Sequence, residues 1–483
     1  MARNKIIKAG LGYTIGNYML RGLSFISIPI YTRLLSTGNY GRFNNFLTYE
    51  NIFFIIIGCA IQSSYKSARY RYKLQSEGVE KGKDYYTYTS TSVIFVLLCT
   101  LIWLILANIF LIYVTSWLNM DSFSVNLLIV YSAASTLVAC FNEDISINYE
   151  YKKFLFVSSF NAIGTIILSV ILLLTIFARQ RYFGMIIGAS IPTIIVAGYI
   201  IVYFFKRAKP KNFKFFMKWG INYSLPIVPH GLSQIILNQF DRIMITKMVS
   251  VVAAGIYSFA YNIYSILAVT FNSLDNIWSP WFYEQMRAKN YKNIKKISSM
   301  YMCLMLIFTI ELILISPEII MLLGRESYWS AKYTAIPVIA GGYFAFLYTI
   351  PAAVEYYHAK TNWIAIGTTM AAIINVLLNL FFIKSIGYIA AAYTTLFTYI
   401  LYFVFHFFMA KKIQGWNLFS TRIILSCSGS LFLFSLIAMI FINVIWVRWL
   451  LACIIFCITA FLEEKNYGLV FKIINNIILK KGK

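Results

Sequence analysis

The residues of this sequence that could do chemistry are few, and they sit in apolar surroundings. Arg21 lies in Asn17-Tyr18-Met19-Leu20-Arg21-Gly22-Leu23-Ser24. A second run, Asn238-Gln239-Phe240-Asp241-Arg242, follows Tyr223-Ser224-Leu225-Pro226-Ile227-Val228-Pro229-His230. Glu50, Asp275 and Glu311 are further acids inside hydrophobic stretches. An ionisable group at the centre of a membrane helix costs at least about 2.5–3.5 kcal/mol, so each of these positions marks either function or a structural ion pair. The Arg21 guanidinium cannot shed its proton. It needs an acidic partner, water or an anionic ligand, and its fork of donors suits phosphate. Glu50, Asp275, Glu311 and Asp241 are candidate ion-coupling groups or counter-ions to Arg21. Adjacent Asp241 and Arg242 project about 100° apart on a helix, so they do not simply pair. One can face a cavity and the other a neighbouring helix, and the sequence leaves open which does so. Pro226 and Pro229, three apart, interrupt the helical hydrogen-bond ladder and read as a hinge.

Other chemistry finds no support. Gly82-Lys83 is followed by Asp84, which excludes a phosphate-binding loop of the Walker type, and hydrolase and zinc-protease motifs are absent. His230, His358 and His406 lack metal-ligand spacing, and the seven cysteines form no CxxC pair. Catalytic residues, a resident cofactor and a metal site are therefore not expected.

The elements that must position these residues follow from composition. The chain has 483 residues, 60% hydrophobic and 12% charged, against about 25% charged in soluble domains. Fourteen apolar segments stand out, at 9–31, 43–65, 90–114, 125–141, 154–177, 183–205, 219–245, 255–279, 298–323, 333–356, 362–383, 387–409, 420–443 and 446–462. Each is long enough to span a bilayer as a helix, and none shows the strict alternation of a membrane β-barrel. The expected fold is an all-α polytopic membrane protein of about 14 transmembrane helices. Short connections leave no room for an extramembrane catalytic domain of ~50 residues.

The net charge of +25 raises nucleic acid or anionic lipid as partners. Counted on alternate sides, 31 cationic residues fall on one side and 9 on the other, leaving Arg21 and Arg242 within spans. The basic residues are spread over every loop of one side, which excludes a nucleic-acid patch and points to both termini being cytoplasmic. Some attraction to anionic lipid remains. The segment 283–296, with Trp281 and Phe282 before it, reads either as an in-plane interfacial stretch or as a solvated loop. Trp117, Trp329, Tyr333, Trp416 and Trp446 at span ends read as interface anchors.

An internal repeat is visible. Ser36 and Gly41 after the first span match Ser250 and Gly255 after the seventh at an offset of 214. Gly184 at the sixth span matches Gly387 at the twelfth at an offset of 203. This divides the chain into a six-helix lobe over 1–208, a second over 209–412 that includes a cytoplasmic connector at 209–218, two additional helices over 413–462, and a cytoplasmic tail over 463–483. Six spans per lobe give parallel repeats with a site expected between them.

The opening Asn17…Arg21-Gly22-Leu23-Ser24-Phe25…Pro29-Ile30-Tyr31-Thr32-Arg33-Leu34-Leu35-Ser36…Tyr40-Gly41 resembles that of Wzx-type polysaccharide flippases. Tyr223-Ser224-Leu225-Pro226…Pro229…Asn238-Gln239-Phe240-Asp241-Arg242, Gly255-Ile256-Tyr257, Trp278-Ser279-Pro280 and Asn375…Asn379…Gly387 are similar as well. The resemblance implies the multidrug/oligosaccharidyl-lipid/polysaccharide exporter superfamily, with two six-helix bundles in a V shape and two C-terminal helices added. It implies that a polyprenyl-diphosphate-linked oligosaccharide is flipped to the outer leaflet for O-antigen, capsule or exopolysaccharide assembly. It also implies a cation-lined cavity, a proton or sodium gradient as the option for coupling, and polysaccharide polymerase machinery as a partner. On this reading Arg21, with Arg242, Lys66 or Arg69, holds the diphosphate, and Asn17, Asn238 and Gln239 line the cavity. Asp241 and Glu311, with Asp275 and Glu50, are the coupling candidates. A multidrug exporter or a lipid II flippase of the same superfamily is the alternative. A membrane polymerase or glycosyltransferase would need a substantial loop with catalytic residues, which is missing.

Overall fold

The computed structural model describes residues 2–465 apart from 75, 76, 79, 81 and 417; most of the expected tail 463–483 lies outside the described residues. The helices are α1 (Ala2–Leu34), α2 (Thr37–Gly58), α3 (Tyr65–Tyr72), α4 (Tyr85–Ile109), α5 (Leu111–Leu118), α6 (Ser122–Ile147), α7 (Tyr151–Leu174), α8 (Arg181–Arg207), α9 (Phe213–Ser224), α10 (Ile227–Met248), α11 (Val251–Arg287), α12 (Tyr291–Leu323), α13 (Lys332–Leu347), α14 (Thr349–Tyr357), α15 (Thr361–Ile386), α16 (Ile389–Gln414), α17 (Thr421–Ile440) and α18 (Ile445–Lys465). Among the described residues ten helices are long and apolar enough to cross a bilayer, or eleven when α2 is joined to the bent segment Ile61–Tyr72. The other three predicted spans correspond to α1, to α9 with α10, and to α18.

Local sequence explains several of the breaks. Cys59 and Ala60 both adopt left-handed backbone conformations, sparsely populated for residues with a Cβ, and the chain bends by 55° there. The Leu225–Pro226 step separates α9 from α10, while Pro229 is accommodated in the first turn of α10, where a missing N–H costs little. The serines of the repeat have the same job: Ser36 accepts the Asn39 N–H at 3.3 Å to cap α2, and Ser250 accepts the Ala253 N–H at 3.1 Å to cap α11. Each satisfies one of the orphan donors of a helix start.

The chain divides into two compact units, Met1–Ile235 and Ile236–Lys483. In the first, α7 and α8 pack so closely that a Cβ on Gly188 would fall 2.5 Å from the Ser169 Cα. Only glycine permits that approach. The helix α9, assigned by the repeat to the second lobe, packs in the first unit: Phe216 and Trp219 meet Tyr72 and Tyr88 edge to face. In the second unit a core of Met244, Ile245, Tyr257, Val338, Ile383 and Ala391 joins α10, α11, α13, α15 and α16.

The segment 283–296 is mostly helical and not a long solvated loop: α11 continues to Arg287, α12 starts at Tyr291, and Trp281 and Phe282 are buried. Of its charges, Arg287 ends α11, Lys292, Lys295 and Lys296 lie in the first turns of α12, and Lys289 sits in the short turn between the two helices. By contrast Trp117, Trp329, Trp416 and Trp446 are exposed, as interface anchors require.

Candidate functional site

The second unit contains a connected polar network at Asp241, built by four helices. Helix α10 supplies Asn238 and Asp241, three apart and so on one face, while α11 supplies Tyr257 and Tyr261, α15 Asn375 and Asn379, and α16 Thr394, Thr395 and Tyr399. Asp241 is 1% exposed. One carboxylate oxygen accepts the Tyr257 hydroxyl at 2.5 Å and the Thr395 hydroxyl at 2.9 Å; the other accepts the Asn379 amide at 2.8 Å. Behind this first ring, the Asn379 amide also donates to Asn375 Oδ1 at 3.1 Å, and the Asn375 amide donates to Thr395 Oγ1 at 3.0 Å. The Thr394 hydroxyl donates to Asn379 Oδ1, and the Tyr399 hydroxyl donates to Asn238 Oδ1. Buried polar groups demand such partners, and two of the three that meet Asp241, Asn379 and Thr395, come from more than a hundred residues away in sequence.

The neighbouring Arg242 turns elsewhere. Its guanidinium lies over the Tyr261 ring at 4.8 Å from the centroid, a cation–π contact. The helical offset between Asp241 and Arg242 is thus resolved by tertiary packing, the acid into the four-helix core and the base onto an aromatic face.

The repeat does not carry the network twice. At the offsets of 214 and 203, the positions matching Asp241, Tyr257, Asn375, Asn379, Thr394 and Thr395 are Ser27, Phe43, Leu172, Ile176, Ile191 and Pro192. Every hydrogen-bonding group but one is replaced by an apolar residue.

The remaining sequence candidates are dispersed. In the first unit, Asn17 and Arg21 are exposed on α1, and Arg21 makes no ion pair with a described residue. Lys66 pairs with Glu143 at 3.0 Å, and Arg69 grips both Glu77 oxygens at 2.9 and 3.2 Å. Those Arg69 hydrogen bonds, with the Leu74 N–H, hold the Glu77 carboxyl below its ordinary range. Glu50 is buried on α2. In the second unit, Asp275 accepts the Ser279 hydroxyl at 3.4 Å, and one oxygen of Glu311 is buried without a hydrogen-bond partner. Gln239 lies partly buried on α10 beside the network residues.

Three pairings of ionisable groups are visible only in the structure. Helix α6 runs past the apolar segment 125–141 to Ile147 and buries Asp144 completely, 2.5 Å from an Arg207 guanidinium that lies over Tyr86 and Tyr203. Glu355 and His406 meet at 2.6 Å with both side chains fully buried. Arg448, near the start of α18, is 1% exposed and pairs with Glu318 of α12. The spacing of Asn375 and Asn379, four apart in an apolar helix, was the one visible sign of the Asp241 network; the ion-pair partners had none.

Long apolar helices in two units, with a buried multi-helix polar network around a single carboxylate, define a polytopic membrane protein of the transporter type. The chain matches the family model described as "Polysaccharide biosynthesis protein" over residues 6–286. It belongs to that family, the Wzx-type group within the multidrug/oligosaccharidyl-lipid/polysaccharide exporter superfamily. Among curated relatives it is 20% identical over 389 residues to an Lsg-locus protein of Haemophilus influenzae, covering 77% of this chain and 90% of that one. It is 24% identical over 383 residues to an uncharacterized membrane protein of the same organism, with coverages of 76% and 88%. Its fold is similar to that of the lipid II flippase MurJ in an inward closed conformation, with a TM-score of 0.70 and 16% identity, over 94% of this chain and 99% of that one. An inward-facing multidrug resistance transporter of the MATE family gives a TM-score of 0.62 at 13% identity, with coverages of 82% and 95%. The family and these neighbours are transporters and flippases, not enzymes.

Proposed function

We propose that this protein flips a polyprenyl-diphosphate-linked oligosaccharide from the cytoplasmic to the outer leaflet for O-antigen, capsule or exopolysaccharide assembly. Both termini face the cytoplasm on this reading, supported by the bias of 31 to 9 cationic residues. The observation that carries the transport mechanism is the Asp241 network. A buried carboxylate that accepts from Tyr257, Thr395 and Asn379, with Asn375 and Thr394 behind them, carries only one negative charge, which suits a proton or a monovalent cation such as sodium better than a divalent metal. Exchange of that cation biases the conformational cycle. Because the first repeat lacks the equivalent residues, the driving ion acts on one unit alone.

The substrate anion needs a cation that is not already engaged. Lys66, Arg69 and Arg242 each have a local partner, whereas Arg21 is exposed with no ion pair to a described residue, so Arg21 is assigned the diphosphate. Loss of a charge-assisted hydrogen bond costs about 1.5–3 kcal/mol, or roughly 10- to 100-fold in affinity. Arg21→Ala is expected to lower cell-surface polysaccharide at least about tenfold in a strain lacking its own flippase, with Arg21→Lys retaining part of the activity, since a lysine keeps the charge but not the fork. Undiminished polysaccharide from stably expressed Arg21→Ala removes Arg21 from the proposal.

The substrate class is tested by deleting the gene and identifying what accumulates. A lipid-linked oligosaccharide trapped on the cytoplasmic side is expected. Accumulation of none, with drug susceptibility increased instead, would favour the multidrug reading.

A further inference from the structure

On the outer surface of the first unit, α7 and α8 leave a long open groove of about 770 Å3 between them. Its α7 wall is a helical stripe of Phe156, Phe160, Ile163, Ile167 and Ile171, and its α8 wall includes Ile191 and Ile195. The helices are tied beneath it by the Thr193 hydroxyl donating to Asn161 at 2.9 Å, and its floor closes where Gly164 meets Pro192. Both stripes run on to a lysine. Lys152 precedes Phe156 by four residues, and on α8 the stripe continues through the exposed Tyr199 and Val202 to Lys206. Spacings of three and four keep these residues on one helix face. The Lys153–Tyr203 contact places the start of α7 beside the end of α8, so Lys152 and Lys206 stand at the same end of the groove. Both are exposed, and neither forms an ion pair with a described residue.

We infer that this groove holds the isoprenoid chain of a polyprenyl phosphate carrier, with Lys152 and Lys206 at its phosphate end. The inference rests on the flippase reading and adds a binding site to it. Two features select the occupant. The groove is apolar along its length and cationic at one end, which complements a long hydrocarbon with an anionic head. That end is the cytoplasmic one in the orientation proposed above. From Leu155 to Ile171 the groove measures about 24 Å at 1.5 Å per residue, whereas a leaflet is half of the ~30 Å hydrocarbon core. A phospholipid tail stops near the midplane and leaves the last ~9 Å of the groove empty; a polyprenyl chain fills it. The groove therefore docks the carrier lipid alongside the first unit by its chain and phosphate, a position distinct from the Arg21 contact assigned to the transport step.

The test uses the full-length protein purified into phosphatidylcholine nanodiscs and a polyprenyl monophosphate carrying photoreactive groups along its chain, with cross-links mapped by mass spectrometry. Labelling is expected on α7 and α8, reduced by excess polyprenyl monophosphate and not by equal phosphatidylglycerol. Filling the groove by Ser159→Phe or Ile163→Trp is expected to cut labelling at least about tenfold, equivalent to 1.4 kcal/mol, while Ile105→Trp, an exposed position on α4, does not. Lys152→Gln with Lys206→Gln should weaken competition by the phosphate without changing that by the uncharged polyprenol. Equal competition by phosphatidylglycerol, or labelling unchanged in both filling variants despite monodisperse protein, overturns the inference. Because these readouts are binding alone, they are separable from the flippase reading: a deletion strain that accumulates lipid-linked oligosaccharide and is rescued fully by Ile163→Trp sinks the groove and leaves the transport function standing.

Discussion

Asp241→Asn is expected to give a folded protein that no longer couples export to an ion gradient. An asparagine can present one acceptor oxygen to the Asn379 amide, and the Tyr257 and Thr395 hydroxyls can rotate to accept from its amide, so the packing of α10, α11, α15 and α16 survives. The charge does not. Binding of the coupling cation is lost with it, and a hydrogen bond to a charged group alone is worth about 1.5–3 kcal/mol, roughly 10- to 100-fold in an equilibrium constant. Cell-surface polysaccharide in a strain lacking its own flippase should fall by that order, and the residual activity should be indifferent to dissipation of the proton or sodium gradient. Asp241→Ala goes further, leaving the three donors that meet the carboxylate unsatisfied and destabilising the unit itself. Wild-type export with wild-type gradient dependence in Asp241→Asn would remove the network from the coupling mechanism. The apolar residues at the matching positions of the first repeat, such as Phe43 and Leu172, provide the control: Leu172→Ile should leave gradient dependence untouched.

The second large effect concerns the C-terminal helices. Arg448 donates to Leu314 O at 2.7 Å, to Phe441 O at 3.1 Å and to both oxygens of Glu318. It thereby fastens α18 to α12 inside an apolar environment. Arg448→Ala strands the Glu318 carboxylate and two carbonyls, with an expected cost of about 3–5 kcal/mol for a broken buried pair. The expected result is a thermal unfolding midpoint lowered by several degrees in detergent and protease cleavage appearing near α18. The double replacement Arg448→Met with Glu318→Leu should be less damaging than either single change, because an apolar pair of similar volume leaves nothing unsatisfied. Additive destabilisation in the double variant would show that packing, not the ion pair, holds α18.

Much of the architecture was legible in the sequence because bilayer thickness imposes one length on every span and the positive-inside bias imposes one sign on alternate loops. All fourteen expected spans found a helix or a broken pair of helices. The repeat was legible for a local reason as well: Ser36 and Ser250 are helix caps, whose chemistry operates within four residues. Helices outran their apolar segments where a partner made it possible: Asp144 lies beyond the segment 125–141 and Arg448 at the edge of 446–462, and both are buried in helices because a distant partner, Arg207 or Glu318, offsets the cost of burial.

The sequence by itself determined that Arg21, Asp241 and Arg242 stand within long, largely apolar helical segments. Only the tertiary structure decided that Asp241 enters a hydrogen-bonded core while Arg242 lies on Tyr261. The partners that make the difference, Asn379 and Thr395, are 138 and 154 residues from Asp241. Helical periodicity says how residues of one span are arranged around its own axis. Which way that axis is turned is set by packing against other helices, and in lipid, where hydrophobicity cannot distinguish one apolar face from another, buried hydrogen bonds supply the discrimination.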